Sequence, residues 1–390
     1  MIPPNDNTQF ERLLQRIEPN STLLRSWSLT GGVSAQVTAM EIVSADGQQQ
    51  RWVVRQHGTA DLARNPQIAL HEFTLLQQLH AEKLPAPKPL YLDESREIFS
   101  DPILVTEYID GTPGFPSIPA PHAMITYVEL LLRIHRVWPD RTDLSFLPQQ
   151  AEIVSGKLEG TEGTTEAQTV EERQVLEALR EAWPHVQQRN PSVLLHGDYW
   201  PGNTLWQGEE LVAVIDWEDA AIGDPLIDLA NSRLEILWAL GYNAMYDFTR
   251  QYQSMSLLLD TTDLPFWDLW ATLSPARNIS TWGLDPPIAR RMHAQLQDFL
   301  RAALAARNFS ARPEPIPEEC EGEVIEQKQF LRYVVMLDDG RVIPDCFIGR
   351  TGGRGDFAKY IPKIGDRIRV KLNPYQPGQA RILIRKMRST

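Results

Sequence analysis

Within residues 196–219, HGDYWPGNTLWQGEELVAVIDWED, four side chains suited to phosphoryl transfer fall close together: His196, Asp198, Asn203 and Asp216. That reaction asks little covalent chemistry of a protein. It needs a positioned hydroxyl, Mg2+ and compensation of charge on the transferring group. Asp198, with His196 beside it as the second catalytic candidate, suits the first need as the carboxylate that orients an acceptor hydroxyl and takes its proton. Asn203, five residues on, and Asp216 offer hard oxygen ligands of the kind Mg2+ prefers. A plainer reading makes HGD a turn, Asn203 a helix cap and Asp216 a partner for buried amides. It needs three chemically suitable residues to coincide at workable separations. A retained fold with dead chemistry is a further alternative.

The elements that must position these residues are strands. SVLL before the loop and LVAVI inside the segment are short, apolar and β-branched, as buried strands are. They present a polar loop at one end and a second acid at the other. The run H-G-D-x-x-x-x-N, followed by I-D-W-E and then G-D-P-x-x-D-L-A, closely resembles the aminoglycoside phosphotransferase and choline kinase superfamily. With signals nearer the N-terminus, the resemblance covers roughly residues 15–305. It implies a two-lobed protein-kinase-like α+β fold, ATP or GTP as donor, and Mg2+. It also implies Asp198 as base, Asn203 as a metal ligand and Asp216 as the main metal ligand. Asp224 and Asp228 then anchor the loops beneath the site.

Leu23 to Arg55 reads as strand, glycine turn, strand, turn, strand, with Asp46-Gly47 as a hairpin signal. Gly31 and Gly32, with Ser34, would let backbone N–H groups approach phosphates, although two glycines also make an ordinary hairpin. The strand RWVVR ends in Arg55, and HEFTLLQQLH has helical spacing with Glu72 on its first turn. A strand cation paired with a helix glutamate holds ATP phosphates in protein-kinase-like folds. The family usually carries lysine there, so Arg55 is a departure: it keeps the charge and changes the geometry. ILVTEYIDG then resembles the family's linker between lobes, where backbone groups of Glu107, Tyr108 and Ile109 would read the base.

Beyond the linker, residues 123–138 read as a helix, 148–174 as a polar insertion or lid, and the stretch after GDPLIDLA as a helical run. In the family that run builds the acceptor pocket. Glu235, Trp238, Trp267, Trp270 and Trp282 are candidates for binding a cationic or sugar-like acceptor, although Trp at helical spacing also suits a core.

At 390 residues the chain can bury a sizeable core in two or three domains. Its polar N-terminus is unlike a signal peptide, and no apolar run approaches the roughly 18–20 residues of a membrane span. Cys320 and Cys346 form no disulfide framework and show no metal spacing, so the chain reads as cytoplasmic. Charge is unevenly spread. Residues 1–315 hold 24 Lys and Arg against 41 Asp and Glu, whereas from Gln327 onward the balance is 14 against 5. An acidic body repels nucleic acid, and a basic tail can approach phosphates. No membrane or DNA partner is expected.

The tail looks like a separate unit. Residues 307–319 have linker composition, and about 70 residues of short strands follow, which suggests a five-stranded barrel of OB type. Nearly all of 320–388 is similar to bacterial translation initiation factor 1, with GRTGGRGDF longer than that family's basic loop. The resemblance implies RNA or the small ribosomal subunit as a partner. Arg350, Arg354, Lys359, Tyr360, Arg367, Arg369, Lys371, Tyr375, Arg381 and Arg385 are the candidate contacts. The expected division is a nucleotide-binding lobe over 1–110, a helical lobe over 111–306, the linker, and the barrel over 320–390. Three functions stay open: a small-molecule kinase, an RNA- or ribosome-associated kinase, and a non-catalytic nucleotide-binding adaptor.

Overall fold

The computed structural model describes residues 7–29, 35–116, 123–139, 142–159, 169–256, 259–306, 319–328, 332–338, 342–348, 362–372 and 379–383. Contacts group the chain into two compact units, Met1–Glu162 with Pro191–Ala239, and Gly163–Asn190 with Leu240–Thr390.

The first unit opens with helix α1 (Thr8–Ile17). Strands β1 (Thr22–Ser28), β2 (Ala35–Val43) and β3 (Gln49–His57) follow as an antiparallel meander. The β2–β3 turn carries Gly47 at φ 85°, the conformation its Asp-Gly signal requires. After the short α2 (Thr59–Arg64) comes α3 (Ile68–Ala81), and then β4 (Pro89–Asp93) and β5 (Ile103–Glu107). The five strands form one sheet in the order β1-β2-β3-β5-β4. Phe10, Leu13 and Leu14 of α1 pack on Met40, Ile42, Trp52, Val54, Ile103 and Val105 of that sheet. Fully burying each such side chain contributes roughly 1.5–3 kcal/mol. On α3 the buried positions are Ile68, Ala69, Glu72, Leu75, Leu76 and Leu79. Glu72 is thus a carboxylate on an apolar stripe, where a charge persists only if paired.

The chain continues through β6 (Thr112–Pro113), α4 (Ala123–Ile134) and α5 (Gln150–Glu159). Within the polar insertion or lid expected across 148–174, Gln150–Glu159 forms helix α5. Val154 and Leu158, four residues apart, are buried and give the polar segment one apolar face. Of the remainder, 160–168 lie outside the described residues, and α6 (Val170–Ala182) belongs to the second unit. The first unit resumes with β7 (Val193–Leu195), the β8–β9 hairpin (Thr204–Gln207, Glu210–Val214), β10 (Ala221–Gly223) and α7 (Leu226–Leu240). β7 pairs with β10, and β9 sits in a separate three-stranded sheet with β6 and β8. The two strands expected to flank the site are therefore not sheet neighbours.

In the second unit, α6 packs with α9, the latter following α8 (Tyr242–Met255, then Leu264–Asn278) and preceding α10 (Pro286–Ala306). The tail supplies β11 (Glu319–Lys328), β12 (Arg332–Leu337), β13 (Val342–Ile348), β14 (Arg367–Leu372) and β15 (Gln379–Leu383). They close in the order β11-β12-β13-β15-β14, with β11 pairing back onto β14. Val324, Tyr333, Val335, Leu337, Cys346, Val370 and Ile382 fill the interior.

Candidate active site

The loop between β7 and β8 is held from beneath by one face of α7. Asp228 is fully buried, and its carboxylate accepts the His196 N–H at 2.8 Å, the Gly197 N–H at 2.9 Å and His135 Nε2 at 3.1 Å. Burial alone would raise the Asp228 pKa. The hydrogen bond from His135 and the imidazoles nearby outweigh it and hold the group below the usual carboxylate range. One turn on, Asn231 Nδ2 donates to the Gly197 carbonyl at 3.0 Å and Ser232 Oγ to the Tyr199 carbonyl at 2.6 Å. Helical spacing puts 228, 231 and 232 on one side, so consecutive turns grip consecutive loop residues. From α4, Tyr127 joins the same loop: its hydroxyl donates to the Tyr199 carbonyl, and the Tyr199 hydroxyl donates to the Tyr127 carbonyl.

His196, the second catalytic candidate read from sequence, is fully buried. Its Nε2 donates to the Ile215 carbonyl at 3.1 Å and its Nδ1 accepts the Asp198 N–H at 3.3 Å. Burial lowers its pKa, so the ring is neutral. It ties the loop to the strand that carries Asp216 and has no open nitrogen for a substrate. Gly197, between them, has φ +85°, and a Cβ there would lie 2.1 Å from the Asp219 carbonyl oxygen. Gly197→Ala is expected to cost at least about 1–2 kcal/mol from the left-handed backbone alone. The clash adds to that and displaces Asp198. Urea melts paired with a turnover assay check both effects.

Asp198 accepts from Asn203 Nδ2, at 3.0 Å to Oδ2 and 2.9 Å to its backbone carbonyl. Burial, then the neighbouring charges of Asp219 and Asp216, push its carboxyl up to about 7. A carboxylate poised near neutrality is matched to general-base work. Burial and then Asp198 itself push Glu235, one turn beyond Ser232 on α7, up to about 8.

Asp216 follows β9 in a left-handed backbone conformation, φ +70°, that costs energy outside glycine. Arg55 Nη2 lies 2.5 Å from both Asp216 Oδ1 and Glu218 Oε2, and Arg55 Nε lies 3.3 Å from Glu72 Oε2. The strand–helix pair read from sequence therefore exists, but within a larger network. His57 Nε2 also meets Glu72, at 2.7 Å. Burial opposes the charge on Arg55, and the three carboxylates outweigh it and raise its pKa. Glu218, Asp219, His57 and Arg64 were missed in the sequence. The one available signal was the acidic WED directly after Asp216. Among the described residues, no group of three or more His, Cys, Asp or Glu side chains is assembled to hold a metal. Asp216 and the Asn203 amide oxygen would offer one carboxylate and one neutral oxygen, a pair that suits Mg2+ only where phosphates complete its shell.

Gly31, Gly32 and Ser34 lie outside the described residues. In the linker, the Glu107 N–H donates to the Lys88 carbonyl and the Tyr108 N–H to the Arg51 carbonyl, while Arg51 stacks over the Tyr108 ring. Trp238 is buried in α7 and Trp267 is buried in the second unit, so both are core; Trp282 in that unit is exposed. Arg350, Arg354, Lys359, Tyr360, Tyr375 and Arg385 lie outside the described residues, as do the side chains of Lys371 and Arg381. Arg369 pairs with Glu321 at 3.0 Å, and Arg367 pairs with Asp338 through both terminal nitrogens. Their charges are met within the barrel. No described helix is long and apolar enough to cross a membrane.

A thermostable mutant of aminoglycoside phosphotransferase APH(4)-Ia, in a ternary complex with AMP-PNP and hygromycin B, aligns at TM-score 0.53 and 18% identity. That alignment covers 75% of this chain and 98% of that one. Spectinomycin phosphotransferase APH(9)-Ia, with ADP and spectinomycin, aligns at TM-score 0.52 and 14% identity, covering 77% and 98%. Acyl-CoA dehydrogenase family member 10 of Mus musculus is 27% identical over 192 residues, 47% of this chain. The match spans only 18% of that mouse protein's length. The phosphotransferase enzyme family matches residues 30–258. That is more than half of the chain, and it contains the α7-gripped loop, Asp216 and the Arg55 network: the chain belongs to the phosphotransferase enzyme family.

Proposed function

We propose that this chain is a Mg2+-dependent phosphotransferase that moves the γ-phosphoryl group of ATP or GTP to a hydroxyl of a small molecule. The observation that carries the reading is the arrangement of two acids. Asp198 is held by Asn203 and poised near neutral pH, and Asp216 is held in a strained conformation against Arg55, which also meets Glu72. Asp198 accepts the acceptor's proton as the new oxygen–phosphorus bond forms and the bridging oxygen leaves with the nucleoside diphosphate. Asp216 and the carbonyl oxygen of Asn203, whose amide nitrogen is spent on Asp198, would hold the ion. Mg2+ there would neutralise charge on the phosphates. Arg55 and Glu72 fix the strand–helix side of the nucleotide site, and the backbone near Ile109 faces the base.

Structurally similar phosphotransferases were solved with hygromycin B and spectinomycin, which favours a hydroxyl-rich or amino-alcohol acceptor with Glu235 beside its binding site. The proposal keeps the division read from sequence, a nucleotide-binding part over 1–110, a catalytic and acceptor part over 111–306 and the tail over 320–390, whereas contacts group Met1–Glu162 with Pro191–Ala239 and Gly163–Asn190 with Leu240–Thr390. The tail's strand order supports a barrel of OB type. Neighbours solved with small-molecule acceptors favour the small-molecule reading over one that involves RNA or ribosomes.

The test supplies γ-labelled ATP or GTP with Mg2+ to the full chain. Aminoglycosides, amino alcohols, sugars and hydroxylated acyl thioesters are offered in pools, alongside small ribosomal subunits. Label on a small molecule, abolished by EDTA and by Asp198→Asn, is the expected result. Label on a ribosomal component would replace the small-molecule reading. Nucleotide binding without transfer to any of these would favour the adaptor.

A further inference from the structure

The segment Asp216-Trp217-Glu218-Asp219 carries three acids, and two arginines from one stretch of chain meet them. Arg55, on β3, takes Asp216 and Glu218; Arg64, at the end of α2, takes Asp219 at 3.0 Å and Asp61 at 3.2 Å. The two cations differ in how firmly they are committed. The Arg55 side chain is 13% exposed and shared among three carboxylates, so withdrawing it would strand buried charges. The Arg64 side chain is 58% exposed, and its partner Asp219 is 42% exposed. Ion pairs of that kind contribute little against water and salt, so a multiply charged anion can displace them. Asp219 is also close to the chemistry: its backbone carbonyl packs against Gly197, the residue before Asp198.

We propose that Arg64 is a further catalytic residue of this site, leaving Asp219 to contact the transferring γ-phosphoryl group. The proposal rests on the phosphotransferase reading above. Arg55 then serves to hold Asp216 and Glu72 in place, while Arg64 supplies the mobile, forked cation that phosphoryl transfer uses to offset charge on the equatorial oxygens. No bond to Arg64 forms or breaks. Its planar guanidinium spans two phosphate oxygens, which a lysine in its place could not do.

The experiment measures Mg2+-dependent binding of fluorescent N-methylanthraniloyl ATP and ADP to the full chain, together with release of phosphate from γ-labelled ATP. Wild type, Arg64→Ala, Arg64→Lys and Asp198→Asn are compared. A contact to the γ-phosphate predicts that Arg64→Ala weakens ATP binding by about 10-fold and ADP binding by less than about 2-fold. Turnover falls by about 10²–10³-fold. Arg64→Lys recovers part of both losses. Because Arg64 is exposed, the melting temperature of Arg64→Ala stays at the wild-type value. Equal weakening of ATP and ADP, or unchanged ATP binding and turnover, overturns the proposal. If Asp198→Asn abolishes turnover while Arg64→Ala behaves as wild type, only the Arg64 assignment falls. If wild type binds neither nucleotide, the phosphotransferase reading falls and the assignment goes with it.

Discussion

Asp198→Asn is expected to lower phosphoryl transfer by about 10²–10⁴-fold, the range associated with removing a general base. Nucleotide affinity should change little, because Asn preserves the side chain's shape and can still accept a hydrogen bond from Asn203. The same residue predicts a pH profile. A base acts when ionised, and burial with the nearby Asp219 and Asp216 charges raises this carboxyl to about 7. kcat/KM should therefore rise tenfold per pH unit below about 7 and level off above it, since that ratio reports the free enzyme's groups. Asp219→Asn removes the strongest of the neighbouring charges and should move the midpoint down. A profile that stays flat from pH 5 to pH 9 would show that Asp198 does not act as the base.

Asp228→Ala is expected to be the most damaging single change to stability, at about 3–5 kcal/mol, the cost of breaking a buried charged network by removing one partner. Two backbone N–H groups, of His196 and Gly197, and the His135 ring would lose their acceptor inside a dry core. Asp228→Asn should recover part of this, since one amide oxygen can still accept. The pH dependence has a definite sign. The folded pKa lies below the ordinary value, so this contribution is fully present above the unfolded-state pKa, about 3.9. It is lost as pH falls through the folded value. Between pH 5 and pH 8 the variant's deficit should stay constant. Urea midpoints across that interval, at unchanged m-value, measure it.

The kinase-like part was legible in the sequence at the level of its local elements. Alternating apolar residues and the Asp-Gly turn marked β2 and β3, and the helical spacing of 71–80 marked α3, because such periodicity records which face each element buries. The separation of Asp198 from Asn203 and the acid after β9 were equally readable. They lie within 19 residues of one another, joined by a tight hairpin that leaves the chain few ways to place them. The pairing of Arg55 with Glu72 was anticipated from the resemblance to protein-kinase-like folds, in which a strand cation meets a helix glutamate.

By itself, then, the sequence determined the local elements and the chemistry at their ends, since turn residues and side-chain period act over a few positions. Only the tertiary structure decided which distant surfaces meet. Arg55 reaches Asp216 across 161 residues of chain, and nothing local forecasts that Glu218 shares the same guanidinium nitrogen. His196 carries the residue type of a catalyst, yet complete burial and two backbone partners make it a fastener for the loop. Arg64 looks like any surface arginine until the fold lays α2 beside Asp219. The physical reason is the same in each case. Burial and charge compensation are properties of the assembled neighbourhood, so they set a residue's role only after long-range packing has chosen its neighbours.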